Sequence, residues 1–194
     1  MRAWSSGLVS LWLMLFAVVF STAADQAFSF ATTPGQLPKN VVPHHYAMRI
    51  EPDLQKFTTR GSMSVRIEVV KPVKQILLNA VDLKVTKATL ESSSLRKSDL
   101  KVKVVPEKQL LVLKSSKEIA PGTYQLALEF SGKIIEQAEG FFYAKYSATN
   151  GDKVMLATQM EPTDARRMFP CWDEPVFRAT FDLTVVLPEN FKAF

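Results

Sequence analysis

From about residue 44 to residue 185, apolar side chains recur at every second position, and this limits what the chain can fold into. Met63, Val65, Ile67 and Val69 alternate with Ser64, Arg66 and Glu68. Tyr124, Leu126, Leu128 and Phe130 alternate with Gln125 and Glu129, and Phe181, Leu183 and Val185 with Asp182 and Thr184. In an extended chain successive side chains leave opposite faces, so this pattern puts one face in a core and the other in water. Further strands are expected over 75–80, 83–90, 100–105, 109–114, 140–146 and 153–159. Pro106-Glu107-Lys108, Pro121-Gly122 and Asn150-Gly151 supply the turns between them. Helical periodicity is confined to one turn near 163–168, with Thr163 expected as N-cap and Asp164 in the first turn. About nine or ten short strands with almost no helix predict an all-β fold, an antiparallel saddle-like β-sandwich.

The N-terminus follows different rules. Arg2 precedes an apolar run over 8–20 broken only by Ser10, and Ser21-Thr22-Ala23-Ala24 follows. This is the layout of an export signal with cleavage after Ala24. The run is shorter than the roughly 17–25 residues a membrane-spanning helix needs. The expected division is therefore signal peptide 1–24, flexible linker 25–36 with Pro34 and Gly35, and one domain over 37–194. An exported protein is implied; membrane association follows only if the segment stays uncleaved.

Composition removes several classes. Hydrophobic residues are 47% and charged residues 22%, which excludes disordered and collagen-like chains. The net charge of +5 is spread without a block of like charges, so nucleic acid is not an expected partner. The lone Cys171 excludes an internal disulfide and reads as a small buried residue. His44 and His45 are adjacent, so on a regular strand they face opposite ways and cannot share a metal. With no H-e-x-x-H or C-x-x-C spacing, this chain is expected to hold no metal of its own.

The most informative segment is Thr158-Gln-Met-Glu-Pro-Thr-Asp-Ala-Arg-Arg-Met-Phe-Pro-Cys-Trp-Asp-Glu-Pro175. Gln159 and Glu161 lie two apart at a strand end and share a face, while Met160 points away. Pro162 cannot donate to a ladder, so pairing stops there. A carboxylate beside a carboxamide can receive a primary ammonium, one supplying charge and both supplying acceptors. The same pair also fits a solvated strand edge. Arg166, Arg167, Asp173 and Glu174 fit either anion recognition or ion pairs that fix an irregular loop. The second reading is preferred, because opposite charges at this density satisfy one another. Phe169, Trp172 and Phe177 are expected to pack that loop down.

This segment resembles the N-terminal domain of the aminopeptidase N family of zinc metallopeptidases. The resemblance covers about 37–194. It includes Leu37-Pro-x-x-Val41-x-Pro43-x-x-Tyr46, Gly61 at the start of the second strand, Ile76-Leu-Leu-Asn-Ala80-x-x-Leu83, and Gly140-Phe-Phe-Tyr143 with Tyr146. Relatives often carry histidine where Asn79 stands. The resemblance implies a β-saddle packed against a catalytic domain. Glu161 would bind the α-ammonium of a peptide N-terminus, and Gln159 would help line the pocket for the first side chain. Zinc would belong to the full-length enzyme, since the family's H-E-x-x-H, Gly-Ala-Met-Glu-Asn segment and catalytic tyrosine are not in this sequence.

The expected function is therefore substrate positioning in an exported zinc aminopeptidase, with this chain one part of a longer enzyme and inactive alone. Two alternatives stay open at this level. One is a non-catalytic binding or interaction module derived from such an enzyme. The other is a carbohydrate-binding sandwich, which the fold alone permits.

Overall fold

A computed structural model describes residues 28–93, 96–189 and 191–192. The segment read as a signal peptide, 1–24, lies outside the described residues.

Eleven strands are present among them: β1 (Val41–Asp53), β2 (Thr58–Val69), β3 (Val73–Asn79), β4 (Lys84–Glu91), β5 (Ser98–Asp99), β6 (Lys101–Val105), β7 (Leu110–Ile119), β8 (Gly122–Lys133), β9 (Gly140–Ala148), β10 (Gly151–Gln159) and β11 (Thr180–Val185). A 3-10 turn over Pro106–Lys108 and one α-helical turn, α1 (Ala165–Met168), interrupt them. The predicted all-β class is what the chain adopts. A six-stranded sheet runs β11-β1-β2-β8-β4-β5, a three-stranded sheet runs β3-β7-β6, and β9 and β10 form a hairpin.

The alternating rows meet in one core. Tyr46 and Met48 of β1 lie opposite Val65 and Met63 of β2, which lie opposite Leu126 and Leu128 of β8, and all are buried with Ile50 and Ile67. Ile76 and Leu78 of β3 and Leu111 and Leu113 of β7 belong to the same buried cluster. A row of Leu, Ile and Val buried to this degree contributes roughly 1.5–3 kcal/mol per side chain, so the two sheets need no disulfide to stay together.

Three details depart from the sequence expectation. The β1–β11 pair is parallel, His45 opposite Thr180 through Ile50 opposite Val185, whereas every other strand pair is antiparallel. The register slips between Pro43 and His45. That bulge is where the alternation breaks: Pro43 and Tyr46 are buried, and both histidines between them are half-buried. Finally, α1 starts one residue later than expected, with Asp164 rather than Thr163 at the N-cap. The Asp164 carboxylate bonds Arg167 Nε at 2.9 Å and caps no backbone amide.

No helix among the described residues is long and apolar enough to cross a membrane.

Candidate functional site

β10 ends at Gln159, which pairs with Gly140 at the start of β9. Gly140 has φ +63°, and a Cβ there would lie 2.6 Å from Arg167 Cβ and 3.0 Å from the Asp164 carbonyl. Glycine is thus what lets α1 lie directly against this hairpin end. Beyond Gln159 the chain turns: Met160 packs against the core, and Glu161 is exposed. The Glu161 N–H donates to Gln159 Oε1 at 3.1 Å. Both side chains therefore sit at one hairpin end, with the carboxylate free in solvent and the carboxamide oxygen partly engaged. Glu161 stands at the rim of a concavity of about 320 Å³ walled by Tyr46, Phe169, Trp172, Phe177 and Phe181.

The four charged residues of the motif do not share one cluster. Arg166 Nε lies 2.8 Å from Asp173 Oδ2, its Nη2 donates to the Asp173 carbonyl, and its Nη1 donates to Gln109 Oε1 at 2.7 Å. Arg167 reaches three carboxylates: Asp164 at 2.9 Å, Glu139 at 3.3 Å and Asp82 at 3.7 Å. Glu174 Oε1 accepts the backbone N–H groups of Gln36 and Leu37, both at 2.8 Å. Its Oε2 is buried with no hydrogen-bond partner, and a Cβ on Gly35 would come within 2.3 Å of it. Phe30 meets Phe177 edge-on at 5.5 Å. Of the segment read as a linker, residues 28–36 thus carry direct contacts to the motif loop.

Other residues hold the site, and they carry little prominence in the sequence. Asn79, at the end of β3, pairs with Cys171: Asn79 N–H to Cys171 O at 2.7 Å and Cys171 N–H to Asn79 O at 3.1 Å. Its side-chain oxygen also accepts the Asp173 N–H at 3.2 Å. Asn79 is 4% exposed, and a buried polar residue at the end of an apolar run is the signal that could have marked it. Gln109 sits in the left-handed region, φ +54°, just after the 3-10 turn Pro106–Lys108, and nothing local predicts its partner. Tyr46 accepts the Trp172 N–H at 3.4 Å from the other side of the loop.

Burial sets the chemistry of the groups beneath Glu161. It pushes the Cys171 thiol well above its ordinary value, reinforced by the Asp173 charge and opposed by Arg166. Burial likewise drives the Tyr46 phenol upward, with Cys171 and Asp173 adding to it and the Trp172 N–H opposing. Neither is a nucleophile or base near neutral pH.

The donors among the described residues do not fit a zinc site. His44 Nε2 is 3.0 Å from Glu68, while His45 bonds Thr180 at 2.8 Å and lies 3.3 Å from Asp182. No three His, Cys, Asp or Glu side chains among the described residues converge to hold a metal ion.

Known proteins resemble this chain over most of its length. The family described as the Peptidase M1 N-terminal domain matches residues 42–194. Aminopeptidase M1-D of Oryza sativa subsp. japonica is 39% identical over 158 residues, covering 81% of this chain and 18% of that protein. Aminopeptidase N of Acetobacter pasteurianus is 35% identical over 173 residues, covering 88% and 47%. Aminopeptidase 2, mitochondrial, of Saccharomyces cerevisiae is 36% identical over 157 residues, covering 77% and 16%. The chain therefore spans less than half the length of each of these relatives. On this evidence the chain belongs to the M1 aminopeptidase family, as its N-terminal β-domain.

Proposed function

We propose that this domain positions peptide substrates in an exported zinc-dependent aminopeptidase, with Glu161 receiving the free α-ammonium and Gln159 lining the place of the first side chain. The observation that carries this reading is the exposed Glu161 carboxylate at the rim of the aromatic concavity, on a turn tied back to Gln159. An enzyme that removes N-terminal residues must recognise a primary ammonium. A carboxylate on a hairpin end tied down by a hydrogen bond to Gln159 does this with little reorganisation.

Zinc supplies a metal-activated water in such hydrolases. The donors among the described residues do not fit it, so we place the metal in polypeptide outside this domain. Export rests on the apolar run over 8–20. The division of labour also accounts for the relatives' length, since more than half of each lies outside the matched region.

The test uses a full-length enzyme carrying this domain. Glu161→Ala should lower kcat/KM for aminoacyl-arylamides by roughly ten- to a hundredfold, the weight of a hydrogen bond to a charged group. Unchanged kinetics would remove Glu161 from the site. The 194-residue chain alone should hydrolyse no aminoacyl-arylamide; zinc-dependent turnover by the pure chain would place the metal here after all.

A further inference from the structure

The turn that carries Glu161 belongs to a closed ring of contacts. On one side Gln159 pairs with Gly140 across the β9–β10 ladder. On the other, the Asp164 N–H donates to Met160 O at 2.9 Å, so the chain doubles back over residues 160–164. One side chain joins the two ends. Arg167 Nε donates to Asp164 Oδ1 at 2.9 Å, and Arg167 Nη2 lies 3.3 Å from Oε2 of Glu139, the residue before Gly140. The ring thus runs Gln159, Gly140, Glu139, Arg167, Asp164, Met160 and back to Gln159. Glu161 stands on it, exposed.

The other links of this ring are backbone hydrogen bonds or peptide bonds; the two made by side-chain charge both end on Arg167. A guanidinium suits that place, because its N–H groups point along separate directions and hold two carboxylates at two nitrogens. The Arg167 and Asp164 side chains are 30% and 19% exposed, so water screens this pair less than an open surface bridge. Gly140 makes the reach to Glu139 possible, since a Cβ there would lie 2.6 Å from Arg167 Cβ. The third carboxylate, Asp82, stands apart: it is 3.7 Å away, 85% exposed, and lies in the β3–β4 turn outside the ring. Arg166, next in sequence, turns to Asp173 and Gln109 and takes no part.

We infer that Arg167 is a positioning residue for recognition of the peptide's ammonium. It acts through Glu161, by clamping the 160–164 turn to the hairpin end so that the carboxylate already stands in place when a peptide N-terminus arrives. This role rests on the one proposed for Glu161. A carboxylate on an unclamped turn must be ordered during binding, and small displacements of a recognition group lower the rate at the reacting bond.

The test is a double-mutant cycle in a full-length enzyme carrying this domain, read as kcat/KM for an aminoacyl-arylamide. Arg167→Met alone should lower kcat/KM by about tenfold, and by less than about twofold in the Glu161→Gln background, where no carboxylate is left to place. Equal losses in the two backgrounds would overturn the role of Arg167 and leave that of Glu161 standing. A Glu161→Gln enzyme with parental kinetics would instead overturn the role of Glu161, and that of Arg167 with it. Should Arg167→Met unfold the domain, Glu139→Gln gives the answer, because it keeps Arg167 and its bond to Asp164. It should lower kcat/KM by about threefold, again with the loss absent in the Glu161→Gln background. Asp82→Asn removes a carboxylate outside the ring and should leave kcat/KM within about twofold of the parent. Equal losses from Asp82→Asn and Glu139→Gln would assign the effect to net charge and overturn the clamp.

Discussion

The side-chain oxygen of Gln159 accepts the backbone N–H of Glu161 at 3.1 Å, so the residue beside the carboxylate also shapes the turn that presents it. The bond is exposed to solvent, and its loss should leave stability within roughly 0.5 kcal/mol of the parent. Gln159→Leu should therefore leave the melting temperature of the chain unchanged and raise KM in a full-length enzyme. Gln159→Glu, which keeps an acceptor for the Glu161 N–H, should raise KM less. Equal KM values for both variants would separate the turn from substrate binding.

Arg166 and Asp173 form the least exposed ion pair among the described residues, with side chains 11% and 12% exposed. Removing one partner strands the other in a poorly solvated place, a loss of about 3 kcal/mol. Arg166→Met should lower the urea midpoint accordingly with the slope unchanged. Arg166→Lys should rescue little, because an ammonium cannot span Asp173 and Gln109 as the guanidinium fork does. A loss below about 1 kcal/mol would class the pair with ordinary surface bridges.

Gly140→Ala combines a left-handed backbone with a Cβ 2.6 Å from Arg167 Cβ. Strain and displacement of α1 should together destabilise the domain by about 2 kcal/mol. Thermal unfolding checks this, and a neutral substitution would mean the hairpin end and α1 separate easily.

Tyr46 makes the domain alkali-sensitive. Its folded pKa lies above the ordinary 10.0, chiefly through burial. Above that ordinary value the unfolded chain releases a proton that the folded chain keeps. Stability from this group is complete below pH 10 and falls as pH rises beyond it, by up to about 1.4 kcal/mol per pH unit. Tyr46→Phe should flatten this part of the urea-midpoint profile. A profile of unchanged slope would assign the alkaline loss to other groups.

Most of the fold was legible because it rests on local alternation. The rows at Met63–Val65–Ile67–Val69 and Tyr124–Leu126–Leu128–Phe130 encode their own strands and their inward faces. What was not legible depends on distant partners. No local pattern says that Thr180 lies beside His45, 135 positions away, or that their two strands run parallel. β5 is two residues long, below the length at which alternation exists. At the site, the motif announced its charged residues but not their assignments. Gln109, Asn79 and the Gln36–Leu37 backbone complete the loop from three other parts of the chain.

The central claim is that Glu161 meets the ammonium of the peptide. A crystal structure of the full-length enzyme with leucinamide measures it directly. The account predicts the ligand's amino nitrogen at about 2.8 Å from a Glu161 carboxylate oxygen, the separation of a charge-assisted hydrogen bond. A bound ligand whose amino nitrogen contacts other groups, with Glu161 turned into solvent, would contradict it.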